Sequence, residues 1–161
     1  GPDYHFDLAR PGVALYGVNP TPGCPNPMAQ VVRLKAKILQ VRDVDSTETV
    51  GYGATHRIAG PSRIATLPVG YADGYLRSLG NRATAYIGDY EAPLVGRVSM
   101  DLITIDVTTV PEAQCRPGMT VDLIGPRHTV DDLAAQAGTI GYEILTSLGR
   151  RYHRVYAGGA A

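Results

Sequence analysis

Apolar and polar side chains alternate from Val31 to Val41 (VVRLKAKILQV), the period of a strand with one buried face, and Lys35 and Lys37 fall together on the outer one. Shorter runs rich in β-branched residues predict strands over Ser62 to Pro68, Arg82 to Ile87, Glu91 to Val98, Leu102 to Val107 and Thr120 to Ile124. Nineteen glycines and twelve prolines punctuate the chain between such runs. Helical signal comes late: Thr129 followed by Asp132 makes a capping-box start to VDDLAAQA, and Gly138 ends it. A second short helix is predicted over Tyr142 to Leu148, stopped by Gly149, with Tyr152 to Tyr156 as a closing strand. Several short strands at regular spacing predict a mainly β chain folded as a small barrel or sandwich.

The first 28 residues differ in character. Phe6 to Val18 is an apolar, strand-like run, and Asn19 to Pro27 carries four prolines in nine positions, as a linker does. A boundary so near the start leaves only a stub before it, which points to the end piece of a longer protein. With 161 residues there is length for one domain, taken here as residues 29–161. Hydrophobic residues make up 44% and charged ones 19%, with no apolar run of about 18 residues, so neither a disordered chain nor a membrane span is expected. Fifteen basic residues balance fifteen acidic ones without a basic stripe, which removes the footprint of nucleic-acid binding. Cys24 and Cys115 stand far apart with no CxxC, so a zinc site or disulfide framework has little support and a cytoplasmic location is expected.

Three tyrosines lie in glycine-flanked turns: Tyr52 in VGYGATH, Tyr71 in VGYADGY and Tyr142 in IGYEI. A neighbouring glycine lets a loop project a phenol into a cleft, although a Gly-Tyr pair is also an ordinary turn edge, and packing is the commoner outcome for any one of them. In GRVSMDLITID, the step from Met100 to Asp101 could turn a backbone N–H toward an anion, or simply be a core methionine beside a surface aspartate. Asp73, followed by glycine, reads as a turn residue. His56, His128 and His153 are isolated and carry no assigned role. GxGxxG, Walker A, GxSxG and HExxH patterns are absent, and the two outward-facing lysines make poor Schiff-base nucleophiles. The residues alone stop at a tyrosine-rich β domain.

In order, however, ARPGVALYG, VVRLKAKILQVRDV, VGYGATHRI, IATLPVGYADGYLR, PLVGRVSMDLITIDV, GMTVDLIG and TIGYEILTSLGRRYHRVY cover almost the whole chain, and together they resemble the C-terminal part of bacterial alanine racemases. Those are pyridoxal 5'-phosphate enzymes of fold type III that interconvert L- and D-alanine for peptidoglycan precursor supply. The resemblance implies a β-barrel-like C-terminal domain with two short helices. Residues 1–28 would then be the end of a (β/α)8 barrel, Phe6 to Val18 being its last strand, with the Pro-rich stretch as hinge. It also implies a homodimer paired head to tail, with each active site built from both chains.

Residue by residue, Tyr52 matches the catalytic tyrosine that serves the partner chain's site. Racemisation takes the α-proton from one face and returns it to the other, so two bases are needed. A phenol with its usual pKa near 10 needs cationic neighbours to act as one, and the resemblance puts those in the barrel. Met100 matches the residue whose backbone amide meets the substrate carboxylate. Arg10 matches the arginine facing the pyridine nitrogen, which, staying protonated, leaves that nitrogen without a proton. Gly12 and Val13 match positions whose amides hold the cofactor phosphate, and Tyr142 matches a tyrosine that hydrogen-bonds it. Tyr71, Arg77 and Arg97 match residues along the substrate's route of access. Pro11 departs from the pattern by lacking an N–H at the phosphate end. Without a Schiff-base lysine the isolated chain is expected to be inactive, and a non-catalytic β-barrel dimerisation module is the rival reading. Serine and other small amino acids stay open as substrates, because a methylene is worth only about 1 to 3 kcal/mol in discrimination.

Overall fold

The computed structural model describes residues 2–45, 49–51, 53 and 56–158. Among these residues there are nine strands: β1 (Leu34–Lys37), β2 (Gln40–Val44), β3 (Thr49–Val50), β4 (His56–Arg57), β5 (Ser62–Leu67), β6 (Thr84–Ile87), β7 (Tyr90–Pro93), β8 (Ile103–Asp106) and β9 (Thr120–Ile124). Two helices follow, α1 (Val130–Ala137) and α2 (Gly141–Ser147). One sheet has the order β1-β9-β6-β7, a second β2-β5-β8, and β3 pairs with β4 as a small hairpin. Every pairing is antiparallel. The fold is mainly β, with the two predicted helices in place.

Two of the predicted strands change partners partway along, for one reason. Along Val31 to Val41 the alternation holds from Leu34 to Ile38, then slips, leaving Leu39 half exposed. Ile38 N–H donates to Met119 C=O beside β9, but the next amide, Leu39 N–H, donates to Thr66 C=O in β5. The run from Glu91 to Val98 behaves alike. Leu94 N–H donates to Ala83 C=O beside β6, Leu94 also bridges Ile105, and Val95 N–H donates to Thr104 C=O in β8. At both points the chain changes sheets between adjacent residues. These two corners join the four-stranded and the three-stranded sheet into a closed, barrel-like ring, with the β3-β4 hairpin outside it.

The main core fills that ring with Leu67, Ala85, Ile103, Ile105, Leu123 and their neighbours. A smaller cluster of Val44, Val50, Ile58, Ile64 and Val95 lies under the hairpin. Helix α1 starts where predicted: Thr129 Oγ1 accepts Asp132 N–H at 3.1 Å while Asp132 Oδ2 accepts Thr129 N–H at 2.8 Å. His128 is buried with both ring nitrogens engaged, Nδ1 with Leu123 C=O and Nε2 with Gln136 Oε1, each at 2.9 Å. It is a structural histidine.

Two expectations fail at the chain's ends. Phe6 to Val18 forms no strand; Val13–Tyr16 make a 3-10 turn, and Val13 and Val18 insert into the main core. With no neighbouring strand to bond, the apolar run satisfies itself locally, Leu15 N–H donating to Gly12 C=O and Gly17 N–H to Ala14 C=O. Tyr152 to Tyr156 is not a closing strand either, because both corners already seal the ring. Among the described residues no helix is long and apolar enough to cross a membrane.

Candidate functional site

Helix α2 separates two groups of the residues singled out above. At its C-terminal end lies the turn from Gly70 to Gly74, where Gly149 N–H donates to Asp73 C=O. Tyr71–Asp73 form a 3-10 turn laid edge-on against the chain at Ser99 and Met100. Tyr71 N–H donates to Ser99 C=O and Ala72 N–H to Met100 C=O, both at 3.0 Å. Gly70 makes this approach possible, since a Cβ there would overlap the Met100 carbonyl. The Ser99–Met100 peptide is trans, so with its C=O fixed toward Tyr71 its N–H points the other way, out from the turn. No backbone carbonyl among the described residues accepts that N–H. The Met100 side chain is exposed, and so is Tyr71.

Asp73, expected to be an ordinary turn residue, is only 5% exposed. One of its oxygens accepts Gly70 N–H at 2.8 Å and the other lies 3.2 Å from Arg151 Nε. Arg151 also reaches Asp101, Nη1 donating to Oδ1 at 2.7 Å. That hydrogen bond, with the charge of Asp73 behind it, raises the guanidinium pKa further, so the charge is fixed at any working pH. Beside this cluster the Tyr75 and Tyr152 hydroxyls are buried without a hydrogen-bond partner among the described residues. Burial pushes both phenols well above their ordinary pKa, and each gains a further push from a neighbour, Tyr75 from Tyr152 and Tyr152 from Asp73.

The catalytic candidate Tyr52 lies outside the described residues. Its neighbour Gly51 packs backbone to backbone on Gly96, where a Cβ on Gly51 would come within 2.8 Å of the Gly96 Cα and 3.2 Å of Arg97 N. Asn81, one of two non-glycine residues at positive φ among those described, holds Gly96 from the other side: its Oδ1 accepts Gly96 N–H at 2.6 Å and its N–H donates to Gly96 C=O at 3.1 Å. Arg97 is exposed three residues before Met100, and Arg77 is exposed on the turn Arg77–Leu79 that leads to Asn81. The segments bearing Gly51, Tyr71, Arg77, Arg97 and Met100 therefore share one rim.

At the N-terminal end of α2 stands the second group. The Tyr142 hydroxyl lies over Gly12, 3.3 Å from where a Cβ would be, so the glycine leaves room for the phenol and for whatever the phenol bonds. The N–H groups of Gly12 and Val13 are not taken by any backbone carbonyl among the described residues. Two backbone donors, a phenol and an exposed arginine, Arg10, match the acceptor-rich chemistry of a phosphate ester carried on a pyridine ring. Pyridoxal phosphate thus fits the donors present, Pro11 withholding one. Its Schiff-base partner is another matter: Lys35 and Lys37 both lie on the exposed face of β1.

Sequence reasoning missed Arg151 and misread Asp73. The only local signal was Asp73's place three residues after Gly70, the spacing at which a carboxylate can reach back to cap a backbone N–H. Nothing local pointed to Arg151, which meets Asp73 and Asp101 only through the fold.

The family model described as alanine racemase, C-terminal domain, matches residues 31–156. Alanine racemase of Rhodospirillum rubrum is 60% identical over 158 residues, which are 98% of this chain and 42% of that protein. The catabolic alanine racemase of Mesorhizobium japonicum is 52% identical over 99% of the chain and 41% of its own length. The crystal structure of alanine racemase from Bartonella henselae with covalently bound pyridoxal phosphate superposes with a TM-score of 0.90 at 44% identity, across 97% of this chain and 43% of that one. The chain spans less than half the length of these relatives. Through its sequence and its barrel-like fold alike, it belongs to the alanine racemase C-terminal domain family.

Proposed function

We propose that the protein carrying this chain is a pyridoxal-phosphate-dependent racemase of alanine, working in the cytoplasm as a head-to-tail homodimer, with residues 29–161 as its C-terminal domain. The observation that supports it most directly is the cradle of Gly12, Val13 and Tyr142, whose donors suit a phosphate and leave it room. When bound, the cofactor's pyridine ring lowers the cost of removing the substrate α-proton by spreading the charge left on carbon. Gly12 and Val13 would hold its phosphate with their N–H groups, Tyr142 would add its O–H, and Arg10 would supply the charged neighbour of the ring nitrogen. On the other rim, serving the partner's site, Met100 N–H donates to the substrate carboxylate and holds the α-carbon before the Tyr52 phenol, which takes the proton from one face. Tyr71, Arg77 and Arg97 border the way in. Exposed Tyr4, Phe6, Leu8, Leu15 and Tyr16 supply the apolar surface that a barrel and a second subunit would cover.

The test is Tyr52→Phe in the full-length enzyme. Losing a positioned base is expected to lower kcat/KM at least about a hundredfold. Enantiomers are equal in energy, so kcat/KM must fall equally in both directions. The asymmetry is expected instead in the α-deuterium isotope effect, rising for L-alanine and not for D-alanine. A rise of equal size for both would make Tyr52 a positioning group rather than one of two bases.

A further inference from the structure

We propose that Arg151 is a positioning residue for substrate binding, a latch that sets the Met100 N–H through Asp73 and Asp101. The inference rests on the reading that this N–H meets the substrate carboxylate. Met100 sits between two restraints. On one side, Ser99 C=O and Met100 C=O accept from Tyr71 and Ala72, and the turn presenting those donors is closed by Asp73, which accepts from Gly70 N–H at 2.8 Å. On the other, the very next residue is Asp101. Both carboxylates converge on one guanidinium, Nε lying 3.2 Å from Asp73 and Nη1 2.7 Å from Asp101. Arg151 thus ties the turn to the tip of the Met100 segment, fastening the intervening peptide at both ends.

The chemistry of the pair requires this cation. Asp73 is buried, and with Arg151 gone it would face the like charge of Asp101 with a single backbone donor for compensation. The two segments would then be driven apart, turning the Ser99–Met100 plane that aims the N–H. A lysine carries one compact charge and no fork, so it can serve one carboxylate well but not both in the same geometry. Nor is Arg151 itself suited to take the substrate carboxylate. Two carboxylates already share its single positive charge.

The experiment uses the full-length enzyme loaded with cofactor. Arg151→Met is expected to raise KM for alanine and the competitive inhibition constant of propionate, a carboxylate without an amine, together by roughly tenfold, with kcat per loaded site held within about twofold. Arg151→Lys is expected to recover part of this, and Asp101→Asn in the Arg151→Met background more of it, because the repulsion is then relieved. Amide exchange at Ala72 is expected to quicken in Arg151→Met, a readout independent of turnover. Arg33→Met, which removes an ion pair between the residue before β1 and Asp122 of β9, is the control and is expected to leave all of these unchanged. Propionate inhibition and KM within twofold of wild type in Arg151→Met would overturn the latch, as would a fall in kcat alone. Propionate binding weakened more than about a hundredfold would make Arg151 a direct ligand and overturn it too. Met100→Pro, which deletes the N–H, separates the two ideas: if it weakens propionate binding and Arg151→Met does not, the latch falls and the reading of Met100 stands. If Met100→Pro leaves propionate binding intact, both fall.

Discussion

The two ends of α2 carry equally suggestive residues on very different foundations. Around Gly70, two backbone hydrogen bonds, a buried carboxylate and a two-headed guanidinium fix each peptide from more than one direction. Around Gly12, residues 3–12 are exposed one after another, and the Tyr142 phenol stands over the glycine without a hydrogen bond to it. The first geometry is over-determined by this chain's own groups. The second presents donors that no backbone carbonyl among the described residues takes. Such a division suits a protein in which the substrate's frame is built in while the grip on a cofactor closes around the cofactor itself.

A single methyl group at each end should expose the contrast. Gly70→Ala puts a Cβ into the Met100 carbonyl, where backbone held from both sides cannot give way. Gly70 has extended backbone, so the penalty is one of space rather than of conformation. A loss of about 3 kcal/mol in urea denaturation is expected, at the upper end for overpacking, with KM for alanine raised beyond that of Arg151→Met. Near-native stability and KM would show that the turn is softer than its hydrogen bonds imply.

Alkaline pH should single out the same end. Tyr75, 1% exposed, and Tyr152 keep their protons in the folded state above the pH at which unfolded tyrosines ionise, near 10. Unfolding then releases protons, so stability is unaffected below about pH 10 and falls as pH rises beyond it, for Tyr75 by up to about 1.4 kcal/mol per pH unit. Tyr152, partly screened by solvent, adds less. Thermal melts between pH 9 and 11.5 should show the decline, and Tyr75→Phe should flatten it. At neutral pH that variant should cost little, because the hydroxyl it removes has no partner among the described residues.

How far the sequence reaches also differs between the ends, and the cause is the range of the interactions. Thr129 and Asp132 lie three residues apart and cap α1 by themselves, so periodicity and capping rules found that helix within its true limits. β5 and β9 were legible because each stays in one sheet along its length. The corners at Ile38–Leu39 and Leu94–Val95 were not, since the adjacent apolar pair at each is what a local irregularity within a single strand would also show. Asp73 was misread because Asp-Gly looks the same whether the carboxylate meets water or an arginine far along the chain. Gly12 was named through likeness to a family alone, whereas Met100 and Tyr142 stood out by their turns and took their particular roles from that likeness. The run from Phe6 to Val18 shows the limit of the apolar signal: it marks burial at Val13 and Val18 without saying in which conformation.

The smallest effect is expected at Gly12, and its smallness is the informative part. In Gly12→Ala the new methyl meets a phenolic oxygen at 3.3 Å, the far end of a side chain that can swing by a few tenths of an ångström. Stability should change by less than about 1 kcal/mol, since nothing fixed is displaced. What shifts is the place of the Tyr142 hydroxyl, so the cofactor's dissociation constant in the full-length enzyme should rise about three- to tenfold, followed by its absorbance on titration. Tyr142→Phe, which keeps the ring and removes only the donor, should weaken cofactor binding by a similar factor, and the double variant by little more than either, because both act on one hydrogen bond. Fully additive losses would mean that Gly12 and Tyr142 hold the phosphate independently. The open end of α2 would then be as firmly built as the closed one, and the contrast between them would be lost.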